Sequence, residues 1–210
     1  MQVELLLKND IENKLKTRSL YESCFDEGKN SFIDYYYDTI IKRNEIVVVK
    51  DSDEIVSMIH LNPYLYNVCG ELRNVHYLVA IATKENCRNR GLMKLCFDKA
   101  IEYLNYLKEP FCYLVPDSDI YESIYKKYGF DVVTKFTLDK FSDKSYDVYP
   151  DKNEEYLKLM KNEEYFLNME TEEYIEDLKN KNVMFKILDN ADNYSIDFFK
   201  RKKIYVCQEV

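Results

Sequence analysis

Two arginines, separated by one residue, stand directly before one of the chain's four glycines. They lie in the stretch Cys-Arg-Asn-Arg-Gly-Leu-Met over residues 87–93. An apolar run over residues 75–83 precedes this stretch and predicts a buried strand. Downstream, apolar residues recur every three to four positions as far as Leu107, which predicts a helix that ends before Pro110. The glycine is therefore expected where a strand gives way to the N-terminus of a helix.

Such a corner has the chemistry of an anion site. The N–H groups of a first helical turn have no partner within the helix, and the helix dipole is positive there. Gly91 allows a phosphate to approach the backbone closely. Arg88 and Arg90 can supply positive charge, and Lys84 and Lys94 can add to it. The alternative is that Gly91 only starts a helix and that the arginines are exposed. Neither the Walker nor the Rossmann glycine pattern is present, which argues against a nucleoside triphosphate or a dinucleotide.

The bulk composition narrows the class of protein. With 210 residues and 46% apolar content, the chain can form one domain, alone or with a small appendage. A net charge of −8 argues against a nucleic-acid partner and suits a cationic substrate, although it also serves solubility. No apolar run approaches the roughly 20 residues of a membrane span, so we expect a cytoplasmic protein without membrane contact. Six cysteines without CxxC spacing and only two histidines predict reduced thiols and no metal site.

The order of the predicted elements indicates the fold class. The elements are, in order, a strand over residues 1–7, helices over 10–25 and 31–42, a hairpin over 45–61, the strand to 83, the helix of the corner, a strand over 111–115, a helix over 119–128 and a strand over 130–138. We expect a break near Pro63 before the long strand. Early hairpins and later crossings predict an α/β fold in which helices pack on a mixed sheet.

The composition changes after about residue 139, which predicts a domain over residues 1–140 and a small C-terminal α/β appendage over residues 141–210. The appendage is predicted to contain two helices and two strands, over residues 154–161, 171–178, 183–188 and 204–209. It is compatible with a reduced second lobe or with a dimerisation element, so a homo-oligomer is one of two alternatives.

Motif and element order together resemble the GNAT (Gcn5-related) N-acetyltransferases. The family's acyl-CoA signature is Arg or Gln, two residues, Gly, one residue, and Gly or Ala. Here it reads Arg88-Asn89-Arg90-Gly91-Leu92-Met93, with Met93 in place of the small residue. The amino-acid sequence of residues 82–96 and 55–66 is most similar to that of the N-terminal domain of Eis-like acetyltransferases of clostridial type. The resemblance covers about residues 15–135 and implies the GNAT acyl-CoA acetyltransferase fold.

A second family landmark is a tyrosine four residues before the Gly-Phe that ends the following helix. Tyr125 stands in that position before Gly129 and Phe130. The resemblance implies that the Tyr125 hydroxyl lies near the CoA sulfur and protonates the departing thiolate. Seven residues earlier, where the family often has Asn, Ser118 is expected to hydrogen-bond a pantetheine amide.

The resemblance also implies how acetyl-CoA, the expected co-substrate, is held. Residues 88–93 would bind the pyrophosphate, and backbone groups of Ile81, Ala82 and Thr83 would pair with the pantetheine and polarise the thioester carbonyl. The amine would then attack directly in a ternary complex, without a covalent enzyme intermediate.

An amine with a pKa near 10 is protonated at neutral pH, so the site must deprotonate it. Glu71, His76 and His60 are candidates for the base, directly or through water, and the sequence does not choose among them. The predicted function is an acetyl-CoA-dependent N-acetyltransferase (an acyltransferase) acting on a primary amine of a small cationic molecule. The alternatives are a GNAT-fold module that binds acyl-CoA without catalysis, and an interaction protein whose acidic C-terminal portion contacts a partner.

Overall fold

The structure is a computed structural model that describes residues 1–25, 30–137, 146–167, 172–191 and 193–206. Its strands are β1 (Gln2–Leu6), β2 (Glu45–Asp51), β3 (Glu54–Val68), β4 (Glu71–Thr83), β5 (Phe111–Leu114), β6 (Asp131–Lys135), β7 (Val148–Pro150) and β8 (Asn182–Ile187). Its α-helices are α1 (Ile11–Leu15), α2 (Arg18–Cys24), α3 (Asn30–Asp38), α4 (Leu92–Tyr106), α5 (Asp119–Lys126), α6 (Glu154–Leu167), α7 (Glu172–Asn180) and α8 (Ile196–Lys200). Helices and strands in this order confirm the predicted α/β class. None of the described helices is long and apolar enough to cross a membrane.

Two sequence predictions in the first part of the chain are wrong in detail. The single helix expected over residues 10–25 is two helices, because the chain turns at Lys16 and Thr17 between α1 and α2. The break expected near Pro63 is absent, since β3 continues to Val68. Its last three residues pair with β7, and the turn falls instead at Cys69 and Gly70, both with positive φ as a two-residue hairpin loop requires.

The chain divides into two compact units, and the first comprises residues 1–63 and 77–107. Its strands follow the order β1-β2-β3-β4, with β1 and β3 antiparallel to β2. The four residues from Ile46 to Val49 have no exposed surface, as expected of a β-branched run covered on both faces. Helix α4 packs against β1 and β2. The rings of Tyr21, Tyr36 and Tyr37 surround the imidazole of His60 at centroid distances of 5.6–6.4 Å.

The second unit comprises residues 64–76 and 108–209, of which the last three lie outside the described residues. Its strands follow the order β5-β8-β6, in which β8 is antiparallel to both neighbours. The core of this unit is aromatic: Phe111 on β5 stacks on Phe185 of β8 at 4.5 Å, and Phe199 of α8 packs edge-on against both rings. Strand β8 lies between β5 and β6 and is the middle strand of this group.

The C-terminal portion is built as follows. The strand predicted over residues 183–188 is β8, and the helices predicted over 154–161 and 171–178 are α6 and α7. In the strand predicted over 204–209, Ile204 forms only an isolated bridge with Val148, and residues 207–210 lie outside the described residues. The boundary at residue 140 stays a prediction, although β8 pairs with strands on the other side of it.

Candidate active site

The corner over residues 83–94 lies within the first unit. Strand β4 ends at Thr83, a turn of 3-10 helix spans Glu85–Cys87, and α4 begins at Leu92. Gly91 occupies the N-cap position with φ of +76°, where a residue with a side chain would be strained. A Cβ atom on Gly91 would meet nothing within 4 Å, so the space in front of this backbone is open. The corner thus combines a glycine turn with the unpartnered N–H groups of the first turn of α4.

The two arginines of the corner are exposed to solvent. Nε of Arg88 donates to the carbonyl oxygen of Thr83 at 3.2 Å, and Nη1 of Arg90 lies 3.9 Å from Sγ of Cys87. Each guanidinium keeps further N–H donors beyond these contacts, because the group carries five. Asn89 also has a positive φ, of 61°. This left-handed residue between the arginines was not expected from the sequence, although Asn is among the residues that tolerate it.

The two lysines expected to add charge to the corner each have a carboxylate partner. Nζ of Lys84 forms an ion pair with Glu54, and Nζ of Lys94 lies 2.6 Å from Asp98 one turn further along α4. The hydrogen bond to Glu54 raises the pKa of Lys84. The charge of both lysines is therefore compensated locally, which leaves the arginines as the cations of the corner.

The end of β4 is held from β3. Oγ of Ser57 lies 2.9 Å from the carbonyl oxygen of Ala82 and 2.8 Å from the hydroxyl of Thr83. Ala80 has φ of +49°, a left-handed conformation that is unusual inside a strand. Ile81, which is half-buried on β4, follows this left-handed residue. Nothing in the sequence signals the left-handed conformation of Ala80, because alanine has no preference for it.

The first residues of α4 differ in their surroundings. The side chain of Leu92 is 3% exposed and anchors the helix in the core, whereas Met93 is half-buried. The backbone N–H of Met93 belongs to the first turn whatever its side chain. Met93 therefore stands in the signature without disturbing the start of the helix.

The predicted proton donor lies in the second unit. Tyr125 is on the last turn of α5 and is 8% exposed. Burial raises the pKa of its hydroxyl above the ordinary value of a tyrosine, and nearby Tyr121 and Asp117 act in the same direction. Its ring is 6.5 Å from that of Tyr121 and 6.4 Å from that of Phe130. A hydroxyl with a raised pKa remains protonated at neutral pH, as a proton donor must.

Ser118 is at the N-cap position of α5, with extended backbone angles. Its side chain makes no capping hydrogen bond to the helix and is exposed. The structure therefore places Ser118 and Tyr125 on one helix of the second unit, and the corner residues 81–83 and 88–93 together in the first.

The three candidate bases have different surroundings. Glu71 is exposed and forms an ion pair with Arg73. Nδ1 of His76 lies 2.7 Å from Oε1 of Glu109, and both side chains are buried. His60 is fully buried with Nδ1 3.0 Å from the hydroxyl of Tyr36, and burial lowers its pKa to about 3. Sequence reasoning missed Glu109, since a single Glu before a strand has no distinguishing signal. In the described part of the chain, no three His, Cys, Asp or Glu side chains gather where they could hold a metal ion.

Comparison with known proteins shows the family. A family model described as an acetyltransferase (GNAT) domain matches residues 12–133, more than half of the chain. The chain therefore belongs to the GNAT acetyltransferase domain family, whose members use acetyl-CoA. Among curated protein sequences, none matches this one.

Solved structures similar to this one include three that define the extent of the fold. A probable N-acyltransferase from Enterococcus faecalis is 16% identical, with a TM-score of 0.57 over 63% of this chain and 33% of that one. Aminoglycoside 6'-acetyltransferase type Ii is 14% identical, with a TM-score of 0.57 over 89% of this chain and 97% of that one. PaiA N-acetyltransferase from Thermoplasma acidophilum, solved with coenzyme A, is 14% identical, with a TM-score of 0.51 over 89% and 99%.

At these identities the likeness is one of fold, and it confirms the expected GNAT fold. This chain spans only 33% of the Enterococcus protein but nearly the whole length of the other two. A match over 89% of 210 residues necessarily extends into residues 141–210. The similar fold therefore includes part of the C-terminal portion.

Proposed function

We propose that this protein transfers the acetyl group of acetyl-CoA to a primary amine of a small cationic molecule, by direct attack in a ternary complex. The observation that carries the proposal is the N-terminus of α4. There, Gly91 in a left-handed conformation leaves open space before the first-turn N–H groups, with Arg88 and Arg90 exposed beside it. This is the chemistry that recognises a pyrophosphate.

The residues of the corner fit the nucleotide end and the pantetheine of acetyl-CoA. In this proposal, Arg88, Asn89, Arg90, Gly91, Leu92 and Met93 hold the pyrophosphate through backbone N–H groups and guanidinium donors. Backbone groups of Ile81, Ala82 and Thr83 bind the pantetheine and the thioester oxygen, and Ser118 donates to a pantetheine amide. Acetyl-CoA supplies an acetyl thioester whose leaving group is a thiolate.

Tyr125 is proposed to donate the proton that the leaving sulfur requires. A thiol has an ordinary pKa of about 8.5, so a tyrosine whose pKa lies above 10 gives up its proton only as negative charge develops on sulfur. Burial of Tyr125 supports this role because it keeps the hydroxyl protonated throughout the neutral range.

The substrate class rests on charge and on likeness. A net charge of −8 attracts cations, and one similar structure is an aminoglycoside acetyltransferase. The affinity with Eis-like acetyltransferases is also part of the proposal and rests on the wording of residues 82–96. We assign no general base. The five cysteines of the described residues are free thiols, which supports a cytoplasmic location.

The proposal is tested by the release of CoA from acetyl-CoA in the presence of kanamycin or spermidine, each of which carries several primary amines. We expect turnover by the wild type and a fall of at least tenfold in kcat for Tyr125→Phe, with the affinity for acetyl-CoA unchanged. Tyr121→Phe, which removes a half-exposed hydroxyl one turn away, is the matched control and should retain the wild-type rate. Binding of acetyl-CoA without turnover of either amine would instead support a module that binds acyl-CoA without this activity.

A further inference from the structure

Strand β8 contacts the helix that carries Tyr125 through three polar side chains. Nζ of Lys181, just before the strand, lies 2.8 Å from Oδ1 of Asp117, which precedes α5. Nδ2 of Asn182 donates to Oε2 of Glu122 at 2.7 Å, and Nζ of Lys186 donates to the carbonyl oxygen of Tyr128 at 2.9 Å. These contacts lie within the second unit and reach the start, the middle and the end of α5.

The face that β8 turns toward α5 is fixed by its pairing. Met184 pairs with Leu114 of β5 and with Val132 of β6, so the strand is held in register from both sides. Alternation along a strand then places Asn182, Met184 and Lys186 on one face. The opposite face presents Phe185 to the aromatic core. A slip of one residue would reverse both faces.

The contact of Lys186 is at the turn that ends α5. The carbonyl oxygen of Tyr125 accepts hydrogen bonds from the N–H groups of Tyr128, at 2.9 Å, and Phe130, at 3.3 Å. Gly129, between them, has φ of +85°, the left-handed conformation that often ends a helix. The ammonium group of Lys186 satisfies the carbonyl of Tyr128 in this turn, where the helix dipole also favours a cation.

The absence of a side chain at Gly129 also leaves room for the ammonium group of Lys186. A Cβ atom at this position would lie 2.7 Å from Nζ of Lys186, closer than atoms approach without a shift. A side chain at this position would therefore force the ammonium group of Lys186 to shift, in addition to the strain of a positive φ. The Tyr-x-x-x-Gly-Phe spacing over residues 125–130 thus leaves room for a lysine from β8.

The three contacts differ in weight. Asp117 is 80% exposed, so its ion pair with Lys181 is screened by solvent and contributes little. Glu122 is 13% exposed, and its hydrogen bonds with Lys126 and Asn182 lower its pKa. Of these three side chains, Lys186 is the one that contacts the turn whose N–H groups donate to the Tyr125 carbonyl oxygen.

We propose that Lys186 is a positioning residue that holds the last turn of α5, and with it the Tyr125 hydroxyl, in the orientation used for proton donation. The inference deepens the proposed function and rests on the role assigned there to Tyr125. It makes the C-terminal portion of the chain part of the active site's support, because Lys186 comes from residues beyond 140.

The first test reads the surroundings of Tyr125 without any substrate. In protein labelled with 13C at the tyrosine rings, Tyr125→Phe identifies the Tyr125 signal, and Lys186→Met is compared with wild type. We expect the Tyr125 signal to move or broaden while that of Tyr113, buried on β5, stays in place. The matched control is Lys200→Met, which removes the same charge from an exposed ion pair with Asp131, and it should leave the Tyr125 signal unchanged. A Tyr125 signal that is the same in Lys186→Met and in wild type would overturn the inference.

The second test reads the rate of acetyl transfer with kanamycin or spermidine as the amine. Lys186→Met is expected to lower kcat by fivefold or more, with KM for acetyl-CoA within twofold of wild type, since misplacement of a catalytic group affects the chemical step. Lys186→Arg, which can still donate to the Tyr128 carbonyl, should recover most of the rate. In a Tyr125→Phe background, Lys186→Met should cause no further loss.

The outcomes separate the two proposals. If Tyr125→Phe retains the full rate, the role of Tyr125 in the proposed function is wrong, whatever the NMR signal shows. If Tyr125→Phe is slow but Lys186→Met is as fast as wild type, the proposed function stands and the positioning role of Lys186 is wrong.

Discussion

Nδ1 of His76 lies 2.7 Å from Oε1 of Glu109, and their side chains are 4% and 2% exposed. The second carboxylate oxygen of Glu109 is also buried and has no hydrogen-bond partner among the described residues. A buried imidazole that loses such a partner is left with an uncompensated polar group. The pair therefore joins the middle of β4 to the residues just before β5 within the second unit.

Replacing Glu109 should show this directly. We expect Glu109→Ala to lower the free energy of unfolding by about 3 kcal/mol, the usual cost of breaking a buried pair from one side. Urea denaturation of the purified protein measures the change. Glu102→Ala, which removes an exposed carboxylate of α4 paired with Lys99, is the control and should stay within about 0.5 kcal/mol of wild type. Equal effects of the two substitutions would show that the buried pair contributes nothing special.

His60 should make the protein sensitive to mild acid. Burial lowers its folded-state pKa to about 3 from an ordinary 6.5, so below pH 6.5 the unfolded chain binds a proton that the folded chain does not. Stability from this group is therefore complete above pH 6.5 and is lost as the pH falls, at up to about 1.4 kcal/mol per pH unit. Urea denaturation at several values between pH 6.5 and 5 measures the slope. His60→Asn should reduce the slope by about that amount, and an unchanged slope would contradict the assignment.

Lys14 is fully buried, and its ammonium group donates hydrogen bonds to three backbone carbonyl groups. Its Nζ donates to the carbonyl oxygens of Lys8 at 2.8 Å, of Asn44 at 2.8 Å and of Ile41. Lys14→Met keeps the length of the side chain but leaves these carbonyls without a donor, so we expect a loss of about 3 kcal/mol or more. Lys16→Met, two positions along and exposed, should change the free energy of unfolding by less than about 0.5 kcal/mol. A stable Lys14→Met protein would mean that water replaces the ammonium group without cost.

Gly91 separates stability from binding. Since a Cβ atom there would meet nothing within 4 Å, Gly91→Ala should cost only the strain of a positive φ, about 1 kcal/mol. The added methyl group would stand in the open space proposed for the pyrophosphate. We therefore expect the Kd for acetyl-CoA to rise by more than tenfold, measured by calorimetry, while thermal unfolding changes by a few degrees. Wild-type affinity in a folded Gly91→Ala protein would place the pyrophosphate elsewhere.

Elements with a strong local signal were predictable from the sequence. These signals are the apolar spacing of α4, the β-branched runs of β2 and β3, and the glycine at the start of α4. Each can be recognised within a few neighbouring residues. The family motif likewise identified Gly91 and Gly129 at two left-handed positions. The features that the sequence did not show depend on distant partners. The role of Glu109 depends on His76, 33 residues away, and that of Lys186 depends on the Tyr128 carbonyl, 58 residues away. The left-handed conformation of Ala80 likewise has no local signal, since alanine does not favour it.

Calorimetric titration of the protein with acetyl-CoA is the direct measurement of whether the corner at the start of α4 binds the pyrophosphate. Wild type is compared with Arg88→Ala/Arg90→Ala and with Arg73→Ala/Arg201→Ala, which removes two other exposed arginines. We predict that wild type and the second variant bind with the same micromolar Kd. The first variant should bind at least tenfold more weakly, since each charged hydrogen bond is worth about 1.5 kcal/mol or more. Undiminished binding by folded Arg88→Ala/Arg90→Ala, or no binding by folded wild type, would show that this corner does not bind the pyrophosphate of acetyl-CoA.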